Sequence, residues 1–389
     1  MILRFISLLL VFVVHAIRRE GDPCVERHYN AGGICTKAYE CESAKNDYLQ
    51  RNISPTLCGS RNDAVICCRI TRRSESQPIR NNNNNRNNVR KRVSERKCEE
   101  YSRVVTKTVT YTSLVPDPDT YSKSVSNCTY TSKELIVGGE DAARGEFPHM
   151  AAIGWVDLDG SYAFNCGGSL ISARFVLTAG HCTYDPRARE HEPAVVRLGE
   201  HNVDPDVDDG ADPIDVPIKS IHKHPDYNPP NRYNDIALLE FDPVTFNSYV
   251  RPACLWNQFD FGDHTQGIAT GWGVNDTTKE TRKDELQKVS LSLLDNEYCD
   301  KKLVKLHGRH WGGFTDTQMC AGELRGKKDT CQGDSGSPLQ VVSSENQCIF
   351  YIVGVVSFGP RCATGQPAIY SRVYKYLDWI ESVVWPGEQ

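Results

Sequence analysis

Sixteen cysteines in 389 residues, a high and even count, constrain this sequence more than any other feature. Such usage points to an oxidising compartment and a disulfide framework. The N-terminus agrees. Arg4 precedes an apolar run from Phe5 to Val14, and Val14-His15-Ala16 closes it on a small residue. This is the layout of a secretory signal peptide, residues 1–16, cut after Ala16. The run is about half the ~20 residues that span a bilayer, and no second one follows. The mature chain is expected to be soluble, secreted and extracellular, with no membrane partner. Its net charge of −5 is small, so nothing calls for nucleic acid.

Six cysteines, Cys24, Cys35, Cys41, Cys58, Cys67 and Cys68, crowd into residues 24–68. A segment this short cannot bury enough apolar surface to fold alone, so bridges must staple it. Spacing does not choose among the pairings. The neighbours Cys67 and Cys68 should bond two different partners, since a vicinal disulfide is strained. Without a paired CxxC the cysteines read as bridges, with no metal. Arg69 to Lys97 contains RNNNNNRNNVRKR, basic and almost without apolar residues, and is expected to be a disordered linker. Its arginines could meet an acidic partner or serve as bait for foreign proteases. Lys97 to Leu135 carries Cys98, Cys128, the β-prone run Val104 to Tyr111 and Pro116-Asp117-Pro118. With no sustained periodicity it reads as a second tether, so that 69–135 forms one linking region.

From Ile136 the texture changes. Short β-branched and apolar runs alternate with Gly, Pro, Asp and Asn clusters: Met150–Trp155, Ser169–Ala173, Phe175–Ala179, Ala194–Leu198, Ile236–Phe241, Ile268–Trp272 and Phe350–Ser357. That is the pattern of an all-β sandwich or barrel. A closing helix is expected over Val373–Trp385, where Leu377, Ile380, Val383 and Val384 share a face.

Within this β region lies Thr330-Cys331-Gln332-Gly333-Asp334-Ser335-Gly336-Ser337-Pro338-Leu339. Small neighbours expose the Ser335 hydroxyl, and the N–H groups of Gly333 and Ser335 can point at one oxyanion. A serine needs a base, and the base an orienting carboxylate. Thr178-Ala179-Gly180-His181-Cys182 supplies a histidine at a strand end. Asn234-Asp235-Ile236-Ala237-Leu238-Leu239 supplies an aspartate at a strand start.

With Ile136-Val137-Gly138-Gly139 ahead of them, these motifs resemble the chymotrypsin-like serine proteases, four separated signatures in order. The resemblance runs from Ile136 to about Trp385. It implies two six-stranded antiparallel barrels with the site in the cleft between them. It makes His181 the general base, Asp235 its orienting partner and Ser335 the nucleophile, with the oxyanion hole at Gly333 and Ser335. The six-cysteine module, the linker and IVGG together resemble the insect clip-domain serine proteases. Lys97–Tyr101, Phe147–Trp155, Arg251–Trp256 and Tyr376–Glu381 bring the chain nearest the Snake-type members. The implied domains are a clip domain at 24–68 and a protease domain at 136–389. The implied bridges are Cys24–Cys67, Cys35–Cys58, Cys41–Cys68, Cys166–Cys182, Cys299–Cys320 and Cys331–Cys362. Cys254 should bond a linker cysteine, taken as Cys128, which leaves Cys98 with Cys348.

The same resemblance implies a zymogen. A cut between Leu135 and Ile136 would free an ammonium that pairs with Asp334 and forms the oxyanion hole. Asp329 would sit at the base of the primary pocket and select arginine, with lysine second. Ser357, Phe358 and Gly359 would pair with the substrate backbone. A pocket that wants arginine will not readily cut after Leu135, so an upstream protease accepting leucine is expected. The downstream target would be a protease zymogen or a cytokine-like precursor, in an innate-immune or patterning cascade, under a serpin-type inhibitor. Two residues depart from the family pattern of glycines: Ser337 beside the nucleophile and Ala368 on the pocket wall. A non-catalytic binding homologue is the rival reading, and such proteins typically lose the nucleophile that is present here. Asn52, Asn127 and Asn275 head glycosylation sequons. The acidic loop from Glu200 to Asp215 resembles a calcium loop, with altered spacing. No cofactor is required.

Overall fold

A computed structural model describes residues 23–26, 31–37, 41, 44, 53–58, 65–69, 91–112, 120–126, 128, 140–276, 281–282, 284–323, 334–360 and 365–388. The chain divides into two compact units, Met1–Asn88 and Val89–Gln389. The signal-peptide region, the basic linker up to 90, both sides of the Leu135–Ile136 bond, Asn52 and Asn127 lie outside the described residues.

In the first unit β1 (Pro23–Glu26), β2 (Ala31–Lys37) and β3 (Val65–Arg69) form an antiparallel sheet in that order. Cys35 faces Cys67 across β2–β3, and both are buried. The bridges Cys35–Cys58 and Cys41–Cys68 close the module. Sulfur does here what a larger apolar core does elsewhere. The implied partner of Cys67 is Cys24, whose side chain lies outside the described set.

The second unit starts well before Ile136, which corrects the tether reading of Lys97–Leu135. Helix α1 (Val93–Ser102) opens with the Glu95 carboxylate accepting the Arg92 N–H at 2.7 Å, and buries Val93, Ser94 and Cys98. Hairpin β4 (Thr106–Thr112) and β5 (Thr120–Ser126) follows. Arg92 reaches the buried Glu381 carboxylate through two 3.0 Å bonds. The Tyr101 and Phe246 rings meet edge-on at 5.4 Å.

The disulfides here also differ from the expectation. Cys98 bonds Cys254, and Cys128 bonds Cys348, with Cα separations of 5.0 and 5.5 Å. The implied Cys128–Cys254 and Cys98–Cys348 pairs do not form. The reason is packing. Helix α1 lies beside the Cys254 strand, while the Asn346 side chain holds the Val105 carbonyl at 3.3 Å and the Thr106 hydroxyl at 3.2 Å. The hairpin therefore departs from and returns to the Cys348 loop.

Short β6 (Glu140–Asp141) leads into the first barrel: β7 (Met150–Val156), β8 (Tyr162–Leu170), β9 (Phe175–Thr178), β10 (Val195–Leu198), β11 (Ile214–Lys223) and β12 (Ala237–Phe241). Pairing runs β10-β11-β12-β9-β8-β7 and closes β7 on β10. Inward side chains such as Ile153, Leu170, Leu177, Leu198 and Leu238 are fully buried, each worth roughly 2 kcal/mol of transfer free energy. The strand expected at Ser169–Ala173 ends at Leu170 and begins at Tyr162, because polar Asn165 and Gly167-Gly168 break the apolar run while pairing with β7 carries on past a bulge at Asn165.

After β13 (Cys254–Leu255), the second barrel holds β14 (Gln266–Gly271), β17 (Gln287–Leu294), β18 (Gln318–Gly322), β19 (Pro338–Val342), β20 (Phe350–Phe358) and β21 (Ala368–Arg372). It closes through β20–β21. Strands β15 (Val274–Asp276), which contains Asn275, and β16 (Thr281–Arg282) form a separate ribbon. Helix α2 (Asn296–Lys302), unanticipated, is capped by Asp295, which accepts the Glu297 and Tyr298 N–H groups at 2.8 and 3.3 Å. The closing helix divides into a 3₁₀ turn at Val373–Tyr376 and α3 (Leu377–Val384), which buries Leu377, Ile380 and Val384. The architecture is two closed six-stranded antiparallel barrels with a C-terminal helix. No helix among the described residues is long and apolar enough to cross a membrane.

Candidate active site

Three strand ends converge where the barrels meet. His181 lies in a 3₁₀ turn just past β9, Asp235 just ahead of β12, and Ser335 in the loop entering β19. Asn234 takes a left-handed conformation, φ 52°, which asparagine tolerates better than most residues. Its side chain is held by the Tyr376 hydroxyl at 3.2 Å. That kink aims Asp235 inward.

The Asp235 carboxylate is fully engaged. Oδ1 accepts the His181 N–H at 2.8 Å, and Oδ2 meets His181 Nδ1 at 2.8 Å. Oδ2 also accepts the Ser357 hydroxyl at 2.5 Å, while the Asp235 carbonyl accepts the Ser371 hydroxyl at 2.7 Å. Burial alone would raise the Asp235 pKa, but the charge and hydrogen bonds of His181, with Ser357, hold it below the usual value. For His181 the surrounding protein alone would depress the pKa. The charge and hydrogen bond of Asp235 raise it instead, against an opposing pull from the Arg232 cation. With Nδ1 committed to Asp235, Nε2 is the ring nitrogen left to exchange a proton.

Ser335 is seated from the other barrel. Its carbonyl accepts the Gly167 N–H at 2.8 Å. Gly336 follows at φ 78°, where a Cβ would overlap the Thr178 hydroxyl and come within 2.5 Å of the Gly167 carbonyl. Only glycine permits this approach, and it brings the serine loop against the strand end that leads into His181. Asp334 Oδ1 accepts the Gly273 N–H at 3.0 Å, and its carboxylate fills the space that Cβ atoms on Gly271 and Gly273 would need. Asp329, Cys331, Gly333, Ile136 and Cys362 lie outside the described residues.

Ser357 was expected only as a strand that lines substrate. The structure gives its hydroxyl to Asp235, because a bulge between Val356 and Phe358 shifts the β20–β21 register there. Nothing in the sequence links residues so far apart. Phe358 stands against Trp311, ring centroids 5.5 Å apart, with the Arg232 guanidinium 4.7 Å above it. Ala368 is buried in the second barrel, and a Cβ placed on Gly359 would lie 3.4 Å from its methyl group.

Ser337 is fully buried, and its hydroxyl makes no hydrogen bond among the described residues. It occupies the space a Cβ on Gly167 would need. A buried unpaired hydroxyl costs about 1–3 kcal/mol. The Ser337→Ala variant is therefore expected to melt roughly 2–4 °C higher, and calorimetry showing a lower melting point would mean the hydroxyl has a partner.

The Cys166–Cys182 bridge runs beside His181, so neither sulfur is a free ligand. Cys299–Cys320 ties α2 to β18. In the acidic loop, Glu200 accepts the N–H groups of His201 and Asn202 at 2.9 and 3.1 Å and lies 3.3 Å from Arg197. Asp215 takes the same guanidinium at 2.7 and 2.8 Å. Both carboxylates are thus engaged by groups of this chain in this arrangement.

A paired Asp–His beside a serine on a glycine elbow, set between two closed barrels, narrows the choice of family. The trypsin family profile matches residues 136–380. The chain belongs to the trypsin family. Relatives of this trypsin-like chain reach beyond the catalytic part. Serine protease snk of Drosophila melanogaster is 34% identical over 371 residues, 94% of this chain and 79% of that protein. Phenoloxidase-activating factor 3 of Holotrichia diomphalia is 37% identical over 293 residues, 71% of this chain and 78% of that protein. CLIP domain-containing serine protease B4 of Anopheles gambiae is 37% identical over 275 residues, 67% of this chain and 73% of that protein. With these insect clip-domain relatives, the chain is a trypsin-like serine endopeptidase.

Proposed function

We propose that the chain is the secreted zymogen of an extracellular protease cascade, cut between Leu135 and Ile136 by an upstream protease and then cleaving its own protein target after arginine. The observation that carries this reading is the Asp235 carboxylate, which holds His181 through both Nδ1 and the backbone N–H. In the proposed chemistry His181 Nε2 removes the Ser335 proton as Oγ attacks the scissile carbonyl. Asp235 stabilises the resulting imidazolium, and His181 returns the proton to the leaving amine. Water then repeats the sequence on the acyl-enzyme. Gly333 and Ser335 would hold the oxyanion, and Asp329 would receive the arginine.

Secretion is supported by the disulfides throughout both units. A cascade role is supported by a relative whose name describes activation of phenoloxidase. The test exchanges residues 131–135 for Asp-Asp-Asp-Asp-Lys, so that enteropeptidase cuts before Ile136. The cut enzyme is expected to hydrolyse peptides after Arg at least ~100-fold faster than after Leu, the scale of a charge–carboxylate match in a pocket. The uncut chain should do neither. Equal cleavage after Leu would reject the arginine assignment.

A further inference from the structure

The seam between helix α1 and the second barrel holds a cavity of about 300 Å³ that the chemistry above does not use. We infer that this cavity is a docking site for an arginine side chain presented by a basic segment of a partner protein. The inference goes beyond the protease reading, since none of the residues it uses belongs to the catalytic machinery.

Two parts of the chain build the cavity. Helix α1 supplies Glu95 and Glu99, and the second barrel side supplies Trp256, His264, Glu345 and Tyr351. The Cys98–Cys254 bridge fastens the two parts beside it. The Trp256 and Tyr351 rings stand at 86° to one another with centroids 5.9 Å apart, and the His264 ring packs against Trp256 at 5.5 Å. The Trp256 indole N–H is spent on the Asp260 carbonyl at 2.8 Å. What the aromatic wall offers the cavity is therefore its π-systems, which attract cations.

The charges agree with the rings. Glu99 pairs with the exposed Lys91. Glu95 accepts the Arg92 backbone N–H and the Asn257 carboxamide, both uncharged donors. Among the described residues neither Glu95 nor the exposed Glu345 pairs with a cation. All three carboxylates act on one group: burial and the charges of Glu345, Glu99 and Glu95 hold the Tyr351 hydroxyl above its usual pKa. Burial keeps His264 below the usual histidine value, so near neutral pH it adds no opposing charge. The cavity thus sets two uncompensated carboxylates against an aromatic wall. A guanidinium suits both, because it stacks flat on rings and forks onto carboxylates, where an ammonium is a point charge. The volume, at the low end for ligand pockets, has room for the aliphatic stem as well, laid along the buried Leu255 in the lining. A cut before Ile136 leaves the Cys98–Cys254 bridge untouched, so the site serves the chain in both forms.

The test titrates acetyl-Gly-Gly-Arg-Gly-Gly-amide into the uncut full-length chain carrying Ser335→Ala, followed by NMR at low ionic strength. Binding with a Kd of ~1 mM or below is expected, weakening in salt. The same peptide with citrulline, uncharged and of the same shape, should bind about tenfold more weakly. Methylguanidinium, the head without the stem, should also lose about tenfold. Glu95→Gln/Glu345→Gln removes both charges and keeps the glutamine-compatible cap of α1; it should weaken the arginine peptide by about tenfold. No binding of the arginine peptide, or equal binding of the citrulline peptide, would overturn the inference. Unchanged affinity in the double variant would place the peptide elsewhere, the primary pocket included, and would overturn it too. Methylguanidinium binding as tightly as the peptide would make this a small-cation site and reject the protein partner. The chain tested is uncut and cannot hydrolyse the peptide, so each of these results leaves the protease reading standing.

Discussion

Ser335→Ala in the activated enzyme is expected to lower kcat for hydrolysis after arginine by about a million-fold, with little change in peptide binding or melting temperature. The separation of effects follows from how the serine is mounted. What positions it is backbone: the Gly167 N–H on its carbonyl and the left-handed Gly336 beside it. Losing Oγ leaves both in place. The pocket and the substrate strand are untouched, so an arginine peptide should still compete for the site. Asp235 is a poorer probe, because its carboxylate holds His181 and Ser357 together, and removing it disturbs geometry as well as chemistry. The measurement is single-turnover kinetics with a competing arginine amide. Residual activity within about a hundredfold of the parent would place the nucleophile elsewhere.

Why this site could be read from the sequence, and its surroundings could not, is a matter of range. His181, Asp235 and Ser335 each sit in a short run whose neighbours state the local requirement: a strand end, a turn, a glycine elbow. The residues that complete the site act across the fold. Ser357 reaches Asp235 over a separation of 122 residues, through a bulge no local pattern announces. Arg232 looks like one more polar residue in a turn until the fold lays it on Phe358. Much of the barrel was visible in alternating apolar runs, but β11 was not, since most of its length is exposed and its alternation is weak. The linker was misread for the opposite reason. Helix α1 has no apolar stripe to betray it, and it is held by a disulfide and by the Glu381 carboxylate instead of by burial of a hydrophobic face.

The two crossed bridges lead to the second large expectation. After the cut before Ile136 the chain in front should stay covalently attached until both Cys98–Cys254 and Cys128–Cys348 are removed. Without reductant, the parent, the Cys98→Ser/Cys254→Ser variant and the Cys128→Ser/Cys348→Ser variant should each migrate as one species. Only the fourfold variant should separate completely into two. The pairing itself is read by thiol labelling: Cys98→Ser alone should expose Cys254, whereas the alternative pairing would expose Cys348. Two tethers do different work. Cys98–Cys254 fastens α1 against the second barrel and the C-terminal helix. Cys128 stands seven residues before Leu135, so it keeps the new chain end within about 25 Å of Cys128 itself. One tether already keeps the other contacts at millimolar effective concentration, so the single-pair variants should retain α1 in place. A released front chain in the Cys98→Ser/Cys254→Ser variant would show that Cys128 does not bond Cys348.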